Sequence, residues 1–132
     1  MHKVLSFLAI LLMATSVHAQ EYEITATWEC PAFRADTQQT PFDCETELEG
    51  YRIYHAPVGT NIESGEVIDI SPLVTTHTFI LDVAPGTTYQ FAMDAIDKEG
   101  LISELSNTVS HTFSGKPAAP GAFTINVVPK VN

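Results

Sequence analysis

An all-β fold, an antiparallel sandwich, is what this sequence predicts, and three observations carry that expectation. Apolar and polar residues alternate with period two through several short runs, the pattern of strands with one buried face. Clusters of Pro, Gly, Asn, Asp and Ser separate the runs, as turns do. No stretch beyond residue 20 keeps a helical period for more than a turn or two, and short strands without helices pack as a sandwich.

Ile24, Ala26 and Trp28 fall on one face and Glu23, Thr25, Thr27 and Glu29 on the other, which makes a half-buried first strand. Tyr51, Ile53 and His55 alternate with Arg52 and Tyr54 in a second. Val67–Ile70 and His77–Val83 are rich in β-branched and aromatic residues and give a short strand and a longer one. Tyr89, Phe91, Met93 and Ala95 alternate with Gln90, Ala92, Asp94 and Ile96, and Val109, His111 and Phe113 form the last clear strand. The turns between them are Pro57-Val58-Gly59-Thr60-Asn61, Ser71-Pro72, Pro85-Gly86 and Asp97-Lys98-Glu99-Gly100.

Size and charge narrow the function classes. A chain of 132 residues suits one domain and argues against a multidomain enzyme. Its 6 Lys+Arg against 16 Asp+Glu give a net charge of -10, which repels phosphate backbones and excludes nucleic-acid binding as a primary role. With 45% hydrophobic and 17% charged residues there is enough apolar material for a core, so a disordered acidic tail is excluded too.

Residues 1–19 read as a signal peptide. Met1-His2-Lys3 is a basic start, Val4 to Met13 an apolar run, and Val17-His18-Ala19 a cleavage site of small residues. The run is too short to span a bilayer, and no membrane span is expected after cleavage. The expected product starts at Gln20 and is secreted, periplasmic or at the cell surface. Without Lys3 it carries 5 Lys+Arg against 16 Asp+Glu, a net -11. Cys30 and Cys44, the two cysteines, then read as one disulfide. Closing a loop of this size stabilises the fold by about 3 kcal/mol on the chain-entropy estimate.

The segment from Val83-Ala84-Pro85-Gly86 through Tyr89, Phe91, Met93 and Ala95 to Asp97 resembles the E–F corner and F strand of the fibronectin type III domain family. Gly50-Tyr51-Arg52-Ile53-Tyr54 is similar to that family's C strand, Trp28 to its B-strand core tryptophan, and Ser106-Asn107-Thr108-Val109-Ser110 to the start of its G strand. The resemblance covers residues 22 to 113. It implies an immunoglobulin-like sandwich of about seven strands over residues 20–113. It further implies that the Tyr89 hydroxyl pins the E–F corner, and that Trp28, Tyr51, Ile53, Phe91, Met93 and Val109 fill the core with Tyr89. Alignment on the corner turns Ile80 inward and Phe79 and Leu81 outward, an orientation that a bulge would reverse.

The sequence departs from that pattern in two places. The B–C loop, Cys30 to Glu47, is long and disulfide-closed. The expected cleavage site also leaves strand A no room before the first strand. Residues 114–132 form a Pro-rich tail in which Phe123, Ile125 and Val127 alternate, so residues 122–128 look like a displaced A strand. Exposed strand edges are pairing templates. The linker Ser114–Pro120 spans at most about 25 Å, short for recrossing the domain, which favours pairing with a neighbouring copy or insertion in the reverse direction within one chain. A flexible tail is the alternative.

No enzyme motif is present: the sequence holds no G-x-S-x-G, no phosphate-cradling glycine loop and no H-E-x-x-H. His55, His77 and His111 read as ordinary strand histidines. The acidic runs Asp43, Glu45, Glu47, Glu49 and Asp94, Asp97, Glu99, Glu104 follow no calcium-binding pattern and read as a solvated surface. No resident metal or cofactor is expected. What remains is a non-catalytic binding or adhesion module that recognises a protein or carbohydrate through loops at one end of the sandwich. The candidate residues are Phe33, Arg34, Gln38 and Phe42 in the stapled B–C loop and Lys98, Leu101 and Ile102 in the F–G loop. The alternative is a structural subunit that self-associates by exchange of Phe123, Ile125 and Val127.

Overall fold

The computed structural model describes residues 19–131; apart from Ala19, the signal-peptide reading lies outside the described residues. Six strands form: β1 (Gln20–Thr27), β2 (Leu48–Pro57), β3 (Glu66–Ile70), β4 (Thr76–Val83), β5 (Thr88–Asp97) and β6 (Val109–Thr112), with a short α-helix, α1 (Cys44–Glu47), before β2 and a 3-10 turn at Ile62–Ser64 before β3. They make two antiparallel sheets, one of β1 and β4 and one in the order β3-β2-β5-β6. Gly86 and Gly100, in two of the expected turns, both take φ of 89°, a left-handed conformation that costs glycine nothing.

The core lies between the sheets in two clusters. Leu48, Tyr51, Ile53 and Ile70 form one, with Trp28, Phe42, Phe79 and Met93 packed against them. Leu81, Val83 and Phe113 form the other, with Tyr22, Ile24, Tyr89 and Phe91 alongside. Strand β4 faces opposite to the expectation from the corner. Its pairing with β1 runs unbroken from Thr27↔Thr76 to Gln20↔Val83, so period two puts Phe79 and Leu81 on the same face as buried Val83. Ile80 is 57% exposed, on the solvent face with Thr78 and Asp82.

The corner between β4 and β5 also closes differently. Gly86 N–H donates to Phe113 O (2.6 Å) and Phe113 N–H to Thr87 O (2.9 Å), while the Tyr89 ring meets Phe113 edge-on at 6.1 Å. Backbone bonds and the ring, rather than the Tyr89 hydroxyl, hold this turn. Of the expected core, Tyr51 and Ile53 are buried, but Trp28, Tyr89, Phe91 and Met93 are only half-buried and Val109 is 54% exposed. For Trp28, Phe91, Met93 and Val109, which border one open groove, the cause is an absent layer. No strand among the described residues pairs with β1 on the side away from β4.

Candidate functional site

At one pole the loops named from sequence come together, and they are bonded mainly to each other. The Cys30–Cys44 disulfide forms, and α1 starts where the Asp43 side chain accepts from Glu45 N–H. Arg34 donates to Glu47 (2.7 Å) and to Asp97 at the end of β5 (2.9 Å), so one guanidinium ties the B–C loop to the F–G turn. It holds both carboxyls below their ordinary range, and they raise its own pKa in return. Phe42 packs on the core and lies 4.9 Å beneath that guanidinium. Asp97 also accepts from the Glu99 and Leu101 N–H groups, as an Asx turn requires. Arg34 and Phe42 are therefore committed internally. Phe33, Gln38, Lys98, Leu101 and Ile102 are exposed there.

On the outer face of the larger sheet lies a cluster that sequence reading passed over. Arg52 and Asp94 are directly opposite across β2 and β5. Arg52 donates twice to Asp94 (3.0 and 2.7 Å) and the Tyr54 hydroxyl once (2.8 Å). The carboxylate is 5% exposed and satisfied. Only the strand register identifies the pair; alternation alone placed Asp94 in a solvated acidic run.

The opposite situation holds between β1 and β6. An open groove of about 900 Å³ runs the length of β1, lined by Ile24, Trp28, Phe91 and Met93 among others, with Val109 on its exposed rim. Phe91, Met93 and Ala95 point into it half-buried, whereas Ala92 and Asp94 on the outer face of the same strand are buried. One end is closed by Tyr22, whose ring packs tilted against Phe113 at 4.7 Å and whose hydroxyl donates to Ser114 O at 2.6 Å. At the other end Trp28 meets Tyr51 edge-on at 5.2 Å.

Part of the far wall of the groove is already satisfied. Beyond the short β6, Met93 and Ala95 N–H groups donate to the Ser106 and Ser103 hydroxyls (3.0 and 2.9 Å), and the Ser106 and Ser103 N–H groups donate back to the Met93 and Ala95 carbonyls. Among the described residues two strand edges face the gap unpaired, that of the four-residue β6 and that of β1, and only β1 runs along the whole groove. Within the single chain the tail does not fill it: residues 122–128 form no strand, and Phe123, Ile125 and Val127 are exposed.

No protein-family model and no curated protein matches the chain in sequence. Solved structures do. A human contactin 1 fn3 domain is 15% identical with a TM-score of 0.50, over 88% of this chain and 96% of that one. The FN1–FN3 fragment of chicken CNTN1 is 16% identical with a TM-score of 0.50, over 76% of this chain; the match spans 29% of that longer fragment. Together with the two antiparallel sheets and their strand order, these likenesses show that the chain has a fibronectin type III-like fold.

Proposed function

We propose that the protein is an exported, non-catalytic binding module that captures an extended apolar segment of a protein partner by adding it as a strand beside β1. The observation that carries this reading is the coincidence of an unpaired strand edge with an apolar groove along its whole length. Strand addition divides the work between the two: main-chain hydrogen bonds supply affinity, and alternate side chains dropping into the groove supply specificity. Each Val, Leu, Ile or Phe fully buried there contributes about 1.5–3 kcal/mol before the costs of association. The disulfide supports export, since such bonds persist in oxidising compartments.

The reading is tested with a synthetic peptide that alternates apolar residues with threonine between flanking lysines. It is titrated into dilute protein while the fluorescence of Trp28, the single tryptophan, is followed. Saturable binding with a blue shift is expected, and a peptide of equal composition with the alternation broken binds at least about tenfold more weakly, because a register error turns apolar side chains away from the groove. Equal binding of both peptides, or none, overturns it.

A second reading rests on the pole, where Phe33, Leu101 and Ile102 leave apolar surface exposed on loops that Arg34 joins. A protein or carbohydrate ligand there loses affinity when Phe33→Ala and Leu101→Ala are combined; unchanged binding excludes it.

A further inference from the structure

Resting on the groove as the binding site, we infer that its occupant is residues 122–128 of a second copy of this chain, so that copies join head to tail. Four observations converge on that segment. Phe123, Ile125 and Val127 repeat at the period of the inward residues of β1, Tyr22, Ile24 and Ala26, and of Trp28 just after it, so their side chains match a groove built from alternate positions. Pro120 and Pro129 bracket the segment and leave its interior free of proline, which an edge strand accepts at its ends. In the single chain these three side chains are 86%, 73% and 78% exposed, an apolar run that burial would stabilise.

Charge is the fourth. Residues 20–113 hold all 16 Asp and Glu against Arg34, Arg52 and Lys98, a net -13. Residues 114–132 hold Lys116 and Lys130 and no acid, a net +2. On β1 the solvent face next to the free edge presents Glu21 and Glu23, with Glu29 just beyond. A cationic strand flanked by lysines is electrostatically matched to that edge.

Chain geometry selects a second copy over the same one. The Tyr22–Ser114 bond puts the exit of β6 at the end where β1 begins. A strand antiparallel to β1 must start at the far end, beside Trp28, and β1 itself is eight residues long, about 23 Å at strand rise. Residues 114–120 reach about 25 Å fully extended, which leaves nothing for the turn that such a path requires. The reverse insertion, parallel to β1 from the near end, is not limited by linker length, but within the single chain residues 122–128 form no strand and their apolar side chains stay exposed. A neighbour's tail meets no such limit. Donor and acceptor are different surfaces, so the contact is heterologous and propagates as an open chain or closes as a ring.

The test uses two variants of the full chain. Ile125→Asp lies in the exposed tail and disables the donor; Val109→Arg lies on the exposed rim of the groove and blocks the acceptor, and circular dichroism checks that both keep the wild-type fold. Light scattering over a concentration series is expected to show wild-type mass rising in whole-chain steps. Each variant alone stays single-chain, and an equimolar mixture stops at two chains, because Val109→Arg can only donate and Ile125→Asp can only accept. The inference is overturned if the wild type stays single-chain, if Ile125→Asp assembles like wild type, or if the mixture fails to pair. Should the wild type stay single-chain while the alternating peptide still shifts Trp28, the groove reading survives and only its occupant is wrong. If both fail, both readings fall.

Discussion

The loop pole and the β1 groove are two regions of one sandwich with opposite economies of bonding. At the pole, a disulfide, a guanidinium shared by two carboxylates and an Asx turn connect residues far apart in sequence. Along the groove, aromatic and aliphatic side chains of the core stand half-open beside a strand with an unpaired edge. The first region carries the residues that look most like a binding loop, yet Arg34 and Phe42 are occupied there. The second consists of residues that look like ordinary core, yet it has the capacity left to bind. Unsatisfied backbone and open apolar surface, rather than the presence of charged or aromatic loop residues, mark where a partner gains most.

Substitutions sharpen that contrast. The largest loss of stability is expected from Cys30→Ser with Cys44→Ser at the stapled pole, about 3 kcal/mol on the chain-entropy estimate, read as a lower urea midpoint. Asp94→Ala follows at about 2 kcal/mol, because it leaves the Arg52 guanidinium and Tyr54 hydroxyl without their shared acceptor; the same denaturation measures it.

A smaller effect appears as a pH dependence. His55 is 8% exposed, stacked on Phe79 at 5.7 Å, with its Nδ1 buried and unpartnered. Burial lowers its pKa, and Glu66, opposite it on β3, opposes the shift only in part. The unfolded chain therefore binds the proton first. Stability is complete above the ordinary histidine value of about 6.5 and is lost as pH falls from there through the lower folded value. Glu47 and Asp97, whose pKa values are depressed by Arg34, lose their contribution only below the ordinary carboxylate range of about 4. Denaturation midpoints between pH 7 and pH 5 separate the two, and His55→Phe flattens that window while leaving the acid limb in place.

The smallest stability change is the most informative. Val109→Arg puts a charge at a position that sequence assigns to the core, and it is expected to shift folding stability by no more than about 0.5 kcal/mol, as at an ordinary surface site. A loss several times larger would mean that this wall of the sandwich is closed.

Much of the architecture was legible because it is local. Period two locates the six strands to within three residues at each end, and Pro85-Gly86 and Asp97 to Gly100 mark turns whose glycines have the left-handed φ. Among the described residues no strand pairs with β1 on the side away from β4, in keeping with the few residues that the sequence reading leaves before the first strand. What sequence did not give depends on register. Ile80 was turned inward because the corner was aligned by resemblance, while the uninterrupted β1–β4 ladder puts it outward. Sequence alone offers Arg34 as a ligand contact, since its partners lie 13 and 63 residues away. Val109 and Phe91 were assigned to a closed core because alternation shows which face a residue takes and not whether a layer covers it.

Hydrogen exchange of the β1 amides tests the central claim most directly. In dilute protein the β1 N–H groups on the side away from β4 are expected to exchange fast while those of β2 and β5 are protected. Adding the alternating peptide, or raising the protein concentration, should slow them by about tenfold or more, since a newly paired edge exchanges only when the complex opens. Fast exchange that neither addition changes would contradict strand capture at β1, and so would protection already complete at the lowest concentration.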